Sequence, residues 1–339
     1  MDDSIPHTRF LLAGRLTRSF ILLPGGEAVE NLPGGSALHA AAGLAVWESG
    51  IGLIGRVGSD YSEEWLRLLD RWHLDRRGIR RLSDPLDVRS FHAYPDLETH
   101  LVDNPVNHYT RLGLPYPREL LGYVPPSAQA DSRTQPTPFT IRQSDFPTDY
   151  LDATAAHICP LDFLSHTLLP PTFRQGNIHT ITLDPAEGYM TPAFWDDMPV
   201  ILSGLTAFLP SEEKLTALFQ GRTIDPWEML EALADWGCEI SVMKRGSRGQ
   251  YLYERASRRR WVIPAYPARV RDLTGAGDAF CGGFLAGFAA TYDPLESVLQ
   301  GNISASLVVE NPSPFYAMDV MPGLARARLD SLRGMARRV

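Results

Sequence analysis

The sequence is poor in the features that mark an oxidised, basic or membrane-spanning protein. Its three cysteines, Cys159, Cys238 and Cys281, are widely spaced and form no CxxC pair. That argues against a disulfide framework or a zinc site and favours a reducing compartment. Cations are also short: 32 Lys and Arg face 40 Asp and Glu, a formal net charge of -8. General nucleic-acid affinity needs many cations to neutralise phosphates, so nucleic acid is not an expected partner. A local site for a small anion remains open. No apolar run approaches the roughly eighteen residues of a membrane span, so no membrane partner is expected either. The opening MDDSIPHTRFLLAGRLTR puts acids first and lacks the apolar stretch of a secretory signal. The expectation is a cytoplasmic protein.

The ordinary nucleotide motifs are missing as well. There is no G-x-x-x-x-G-K-[ST], and GAGDAF lacks the third glycine of a dinucleotide fingerprint and lies late in the chain. What is present is a chain of 339 residues with 44% hydrophobic content, in which β-rich runs alternate with helix-period segments. Strands are expected at residues 9–14, 51–55, 155–159, 178–184, 206–210 and 239–244, and helices at 36–49, 62–74, 161–169, 211–219 and 225–236. Asp225, Pro226 and Gly237 punctuate the last helix as cap, first turn and exit. Such alternation with nearly continuous apolar strands implies a largely parallel sheet covered on both faces. Residues 16–33 and 88–103 break the pattern and read as extra strands with one wet face. Residues 103–149 are rich in proline and read as an irregular insertion, and two helices are expected to close the chain beyond residue 291.

The stretch RDLTGAGDAFCGGFLAGF, residues 271–288, carries the chemistry. Gly275, Ala276 and Gly277 leave their amides accessible, and a following helix would make them an anion site. Asp278 fits two readings, a helix N-cap or a base that takes a proton from an attacking hydroxyl. A second segment, ENLPGGSALHAAAGLAVWESGIGLIGRVGSD at residues 30–60, combines a Pro-Gly-Gly turn, a small-residue helix and a glycine-flanked strand. Close helix–strand packing would use the same small residues.

Together the two segments resemble the signatures of the ribokinase, or PfkB, family of carbohydrate kinases. Gly34, Gly35, Gly55, Gly58 and Asp60 match the first, and Asp272 to Phe280 match the second. The likeness runs from about residue 9 to 310. It implies one ribokinase-like α/β domain over residues 1–339, a doubly wound, mostly parallel sheet with helices on both faces. The segments at 16–33 and 88–103 would form a small β-sheet lid. It further implies transfer of the ATP γ-phosphate, with Mg²⁺, to a hydroxyl of a sugar-like small molecule. Asp278 would be the base and Gly275, Ala276 and Gly277 the anion hole. Lys244, Gly246, Gly249 and Thr274 would lie by the nucleotide, with Asn302 at the adenine, and Asp272 would support a K⁺-type ion. For Lys244 a solvated strand end, and for Asn302 a packed helix, explain the residue equally well. Lid strands of this family pair between subunits in some members, so a homodimer through the lid is open.

This sequence also departs from the family pattern. Ser19 stands where the lid usually carries an aspartate, and His39 where an asparagine follows the Gly-Gly turn. Ser19, Gly34, Gly35 and His39 are still placed at the substrate, with a packed helix histidine as the other reading of His39. The family's metal-ordering N-x-x-E run is SEEK here, with Ser211 at the asparagine and Lys214 at the glutamate. Glu212 and Glu213 either substitute as metal ligands or are first-turn acids favoured by the helix dipole. These departures motivate two alternatives to a sugar kinase: a catalytically weak or inactive regulatory binding protein, and a nucleoside kinase.

Overall fold

The computed structural model describes residues 8–125, 131–321 and 323–339. Residues 1–7 of the N-terminal stretch therefore lie outside the described residues, as do residues 126–130 of the proline-rich insertion. Strand β1 (Phe10–Ala13) is fully buried, and its pleat sends Phe10 and Leu12 to one hydrophobic layer and Leu11 and Ala13 to the other. A strand packed on both faces needs an apolar residue at every position, which the run FLLA supplies.

Around it the sheet runs β13-β12-β11-β10-β9-β8-β7-β1-β4-β5. The members are β4 (Ile51–Val57), β5 (Asp75–Arg81), β7 (Ala155–Ile158), β8 (Thr180–Leu183), β9 (Ala207–Phe208) and β10 (Ile240–Lys244), all parallel to β1. Three antiparallel strands follow, β11 (Gln250–Glu254), β12 (Arg259–Ile263) and β13 (Arg337–Arg338). Chain order reverses at β1, which has β4 on one side and β7 on the other. In such open sheets the crevice beyond the carboxyl ends at the reversal is where ligands bind.

Helices cover both faces. On one lie α4 (Phe163–Phe173), α5 (Met198–Leu202), α6 (Glu212–Leu218) and α7 (Pro226–Asp235). On the other lie α1 (Ser36–Ala45), α2 (Glu63–Arg71), α8 (Ala276–Thr291), α9 (Pro294–Val308) and α10 (Leu324–Arg333). Helices α1 and α8 touch backbone to backbone. A Cβ added at Gly43 would fall 2.0 Å from the Ala279 carbonyl oxygen, and one at Gly282 would fall 1.9 Å from that of Ala40. The small residues of both signature segments thus let two helices meet and fix where the mouth of α8 points.

A second sheet, β3-β2-β6, joins β2 (Thr17–Leu22), β3 (Ala28–Gly34) and β6 (Arg89–Ala93). Its apolar face, with Phe20, Leu22 and Phe91, is sealed by Tyr109 and Leu120. Tyr109 belongs to α3 (Pro105–Arg111), which corrects the expectation of an irregular insertion over 103–149. Pro105 occupies the first helical turn, where a missing N–H costs nothing, so proline here starts a helix. The small-sheet strand is also shorter than residues 88–103: beyond Ala93 only Leu101 returns, in a bridge to Ala93. Strands β5, β11, β12 and β13 were not expected. β5 reads DRRGIRR, and its charge suits a sheet edge but hides the strand from any hydrophobic pattern. Among the described residues no helix is long and apolar enough to cross a membrane.

Candidate active site

The mouth of α8 faces the carboxyl ends of the central strands. Gly275 is the N-cap, with φ of 75°, a left-handed conformation that glycine adopts without strain. Asp278 is therefore the third helical residue and caps nothing, which removes the N-cap reading. Its carboxylate is partly exposed and has no hydrogen-bond partner among the described residues. Burial raises its pKa and Asp184 raises it further, while His39, Lys244 and Lys214 act against both. The carboxylate is thus a stronger base than a free aspartate.

The amides around it are unevenly available. Ala276 N–H donates to the Leu273 carbonyl at 3.3 Å, so the expectation that Ala276 helps form the anion hole is corrected. The turn that delivers the chain into the helix uses that amide itself. The amides of Gly275, Gly277 and Asp278 have no acceptor among the described residues. These are orphan donors of a helix start, aligned with the positive end of its dipole.

Beneath them lies a compact charge cluster. Asp184 follows β8 directly and is buried, 2% exposed. Its Oδ2 accepts from Lys244 Nζ at 2.5 Å and its Oδ1 from Lys214 Nζ at 3.1 Å. Burial would raise the pKa of Asp184, but the two ammonium groups prevail and hold it below the usual carboxylate range. Lys244 Nζ also meets the Gly277 carbonyl and Cys281 Sγ, each at 3.4 Å. Its charge, held up by Asp184 against burial, ties β10 to α8. Both the phosphate role and the solvated strand end expected for Lys244 give way to an internal tie. Sequence reasoning missed Asp184; the available signal was an acid placed directly after an apolar strand, in TITLDP.

Other expected residues are occupied elsewhere. Glu212 is paired with Arg245 and Arg248, and Glu213 is exposed, which corrects their assignment as metal ligands. Among the described residues no three His, Cys, Asp or Glu side chains gather as a metal site. Asn302 donates to Gln250 Oε1 and the Pro264 carbonyl and accepts from Tyr266 N–H, so its amide braces the segment after β12 instead of offering itself to an adenine. Gly246 and Gly249 form the β10–β11 turn, and a Cβ at Gly249 would strike the Ile263 carbonyl. Asp272 is buried and accepts from Thr274 N–H at 2.9 Å, shaping the loop before the helix.

The small sheet meets the glycine loop. Thr274 Oγ1 lies 3.1 Å from Tyr94 Oη, a direct tie between this sheet and the glycine loop. Ser19 shares hydrogen bonds with Thr17 and Ser90 at 2.9 and 3.0 Å, and a Cβ at Gly34 would collide with its Oγ. His39 lies with its ring against Gly275, where a Cβ would fall 2.1 Å from the imidazole, and its Nδ1 meets the Gly35 carbonyl at 3.0 Å. The His100 ring stacks with both His92 and Tyr94, and burial together with His100 and His39 pushes the His92 pKa down, to about 3. At the carboxyl end of β1, the Arg15 guanidinium lies 4.3 Å from the centre of the Phe139 ring.

Residues 173–319, which include Asp184, Lys214, Lys244 and Asp278, match the family described as pfkB family carbohydrate kinase. That stretch, 147 of the chain's 339 residues, is similar to this family. With this match and its kinase relatives, the chain is a kinase. A cytidine kinase of Thermococcus kodakarensis is 26% identical over 82% of this chain and 88% of its own length. Among solved structures, a putative ribokinase II from E. coli in complex with ATP and Mg²⁺ superposes with a TM-score of 0.67 at 17% identity, covering 96% of this chain and 99% of the other. A Burkholderia thailandensis nucleoside kinase in complex with inosine gives a TM-score of 0.66 at 17% identity, covering 96% and 98%. Both share the ribokinase-like fold with this chain.

Proposed function

We propose that the protein transfers the γ-phosphoryl group of ATP to a hydroxyl of a sugar-like small molecule. The observation that carries this reading is Asp278, an unpaired carboxylate beside three unengaged amides at a helix mouth. Asp278 takes the proton of the acceptor hydroxyl as its oxygen bonds to the γ-phosphorus. The bond from that phosphorus to the bridging oxygen breaks, ADP leaves, and Asp278 later gives the proton to solvent. The amides of Gly275, Gly277 and Asp278 hold the charge that gathers on the migrating group, in a site that needs no rearrangement to do so. Mg²⁺ arrives as part of the nucleotide substrate: Asp184 and Glu212 are engaged by lysine and arginine, Asp278 is kept for the proton, and phosphate-bound magnesium keeps several of its waters.

The small sheet serves as the lid, hinged to the reaction through Tyr94 and Thr274, with Ser19, Gly34, Gly35 and His39 on the acceptor side. A nucleoside is a second reading of the acceptor. It is favoured by the extended likeness to a cytidine kinase and by the aromatic and imidazole surfaces of Tyr94, His100 and Phe139. A K⁺ ion beside Asp272 would steady the loop, and comparison of turnover in K⁺ and Na⁺ tests that role. Pairing of two copies through the lid is tested by sedimentation. The main reading is tested by ADP release over a panel of sugars and nucleosides with Mg-ATP. Release with one acceptor class, abolished in Asp278→Asn, is expected; no release with any acceptor overturns it.

A further inference from the structure

The Lys214–Asp184–Lys244 cluster holds more positive charge than its own ion pairs require. Lys244 alone would neutralise Asp184, and its ammonium is surrounded by Asp184, the Gly277 carbonyl and Cys281. Lys214 differs. Among the described residues its Nζ has one partner, Asp184 Oδ1, so two of its three N–H groups are unengaged. Its side chain retains 13% exposure, against 3% for Asp184. Helix α6 delivers it: Ser211 Oγ accepts from Lys214 N–H and fixes the first turn, while Glu212 turns away to Arg245 and Arg248. Of the two acids and one base in that turn, the base is the group that faces the reaction mouth.

We propose that Lys214 binds the phosphate chain of the donor directly, so that this protein grips ATP through a lysine cation even when no metal accompanies the nucleotide. This deepens the kinase reading and rests on it. Contact is traceable from Lys214 through Asp184 and Lys244 to the Gly277 carbonyl, the residue whose amide lies at the mouth of α8. The charge balance also suits the reaction. With Asp278 ionised, two ammonium groups face two carboxylates and the cluster is neutral. When Asp278 takes the acceptor's proton, the same cluster becomes singly positive just as the departing ADP oxygen gains negative charge. Asp184 serves as the positioning residue: it fixes the lysine stem without consuming all of the ammonium's donors.

The experiment is calorimetric titration of ATP into the full chain, once with excess MgCl₂ and once in EDTA, for wild type, Lys214→Gln and Lys214→Arg. Wild type is expected to bind Mg-ATP and to retain measurable affinity for metal-free ATP. Lys214→Gln should lose about tenfold or more in metal-free affinity, the worth of one charge-assisted hydrogen bond, and less with Mg²⁺. Lys214→Arg should recover most of the loss. A purely structural lysine would lower both affinities equally, or only the melting temperature, and either result overturns the proposal. Absence of any heat from metal-free ATP with wild type, when Mg-ATP binds, overturns it too, whether or not the variants fold. If wild type fails to bind even Mg-ATP, the kinase reading itself fails, and the two failures are thereby told apart.

Discussion

Replacing Gly282 by alanine tests whether the contact of α1 with α8 sets the catalytic geometry. The added Cβ would lie 1.9 Å from the Ala40 carbonyl oxygen and 2.9 Å from the Leu44 nitrogen, all of it backbone. Ordinary contact begins near 3.4 Å, so the helices must part locally by about 1.5 Å, the difference 3.4 − 1.9. No side chain can rotate away to relieve this. Helix propensity alone would favour alanine by ~1 kcal/mol. Overpacking of this kind costs about 1–3 kcal/mol, and a backbone clash belongs at the upper end, so the net loss is roughly 2 kcal/mol. For a chain of this size that lowers the melting temperature by about 3 °C. Asp278 lies one turn before Gly282 on the same helix face, so the displacement is carried to the base. Misplacement of about 1 Å costs about a hundredfold in rate. Scanning calorimetry and single-turnover ADP release read the two effects. Gly334→Ala, where a Cβ meets nothing within 4 Å, is the neutral control. A Gly282→Ala protein that melts at or above wild type with unchanged turnover would refute the reasoning.

Other outcomes follow from the same geometry. Asp278→Asn should lower kcat by about 10²–10⁴-fold while leaving Mg-ATP affinity nearly intact, as titration calorimetry would show. Because its folded pKa is raised, Asp278 contributes stability below its unfolded value that is lost as pH rises through the folded one. Asp278→Asn should therefore melt higher than wild type at neutral pH, with the gap closing on acidification. Asp184 is shifted the other way, and its contribution is present above the unfolded pKa and lost as pH falls through the depressed folded value. Asp184→Asn should destabilise by about 3–5 kcal/mol in chemical denaturation, since it leaves two nearly buried lysines without their anion. Tyr94→Phe removes the tie to Thr274 and should cost about 1 kcal/mol of stability, with the acceptor KM rising more than that of ATP.

The central strands and the helices beside them were legible because each is buried on a face whose period the sequence displays. The run FLLA at β1 and the caps at Asp225 and Pro226 are local features, and local physics places them. Strand β5 was not legible, since an edge strand of arginines carries no apolar pattern. Helix α3 was hidden by the prolines around it, although the side chain that justifies it, Tyr109, is buried only because the small sheet lies above. At the site, the glycine loop and Asp278 stood out as a motif, whereas Asp184 did not. A single aspartate after a strand becomes informative only when two lysines, 30 and 60 residues further along the chain, converge on it.

The sequence by itself determined the layered α/β architecture, the accessible glycine turn and the carboxylate that follows it, because these depend on neighbours within one or two turns of the chain. Tertiary structure decided which groups are available. It occupied the Ala276 amide, turned Glu212 toward arginines, sealed Asn302 into a brace and left Lys214 with unengaged donors. Hydrogen-bond capacity is allotted among residues distant in sequence, and only the folded chain brings them close enough to compete for it.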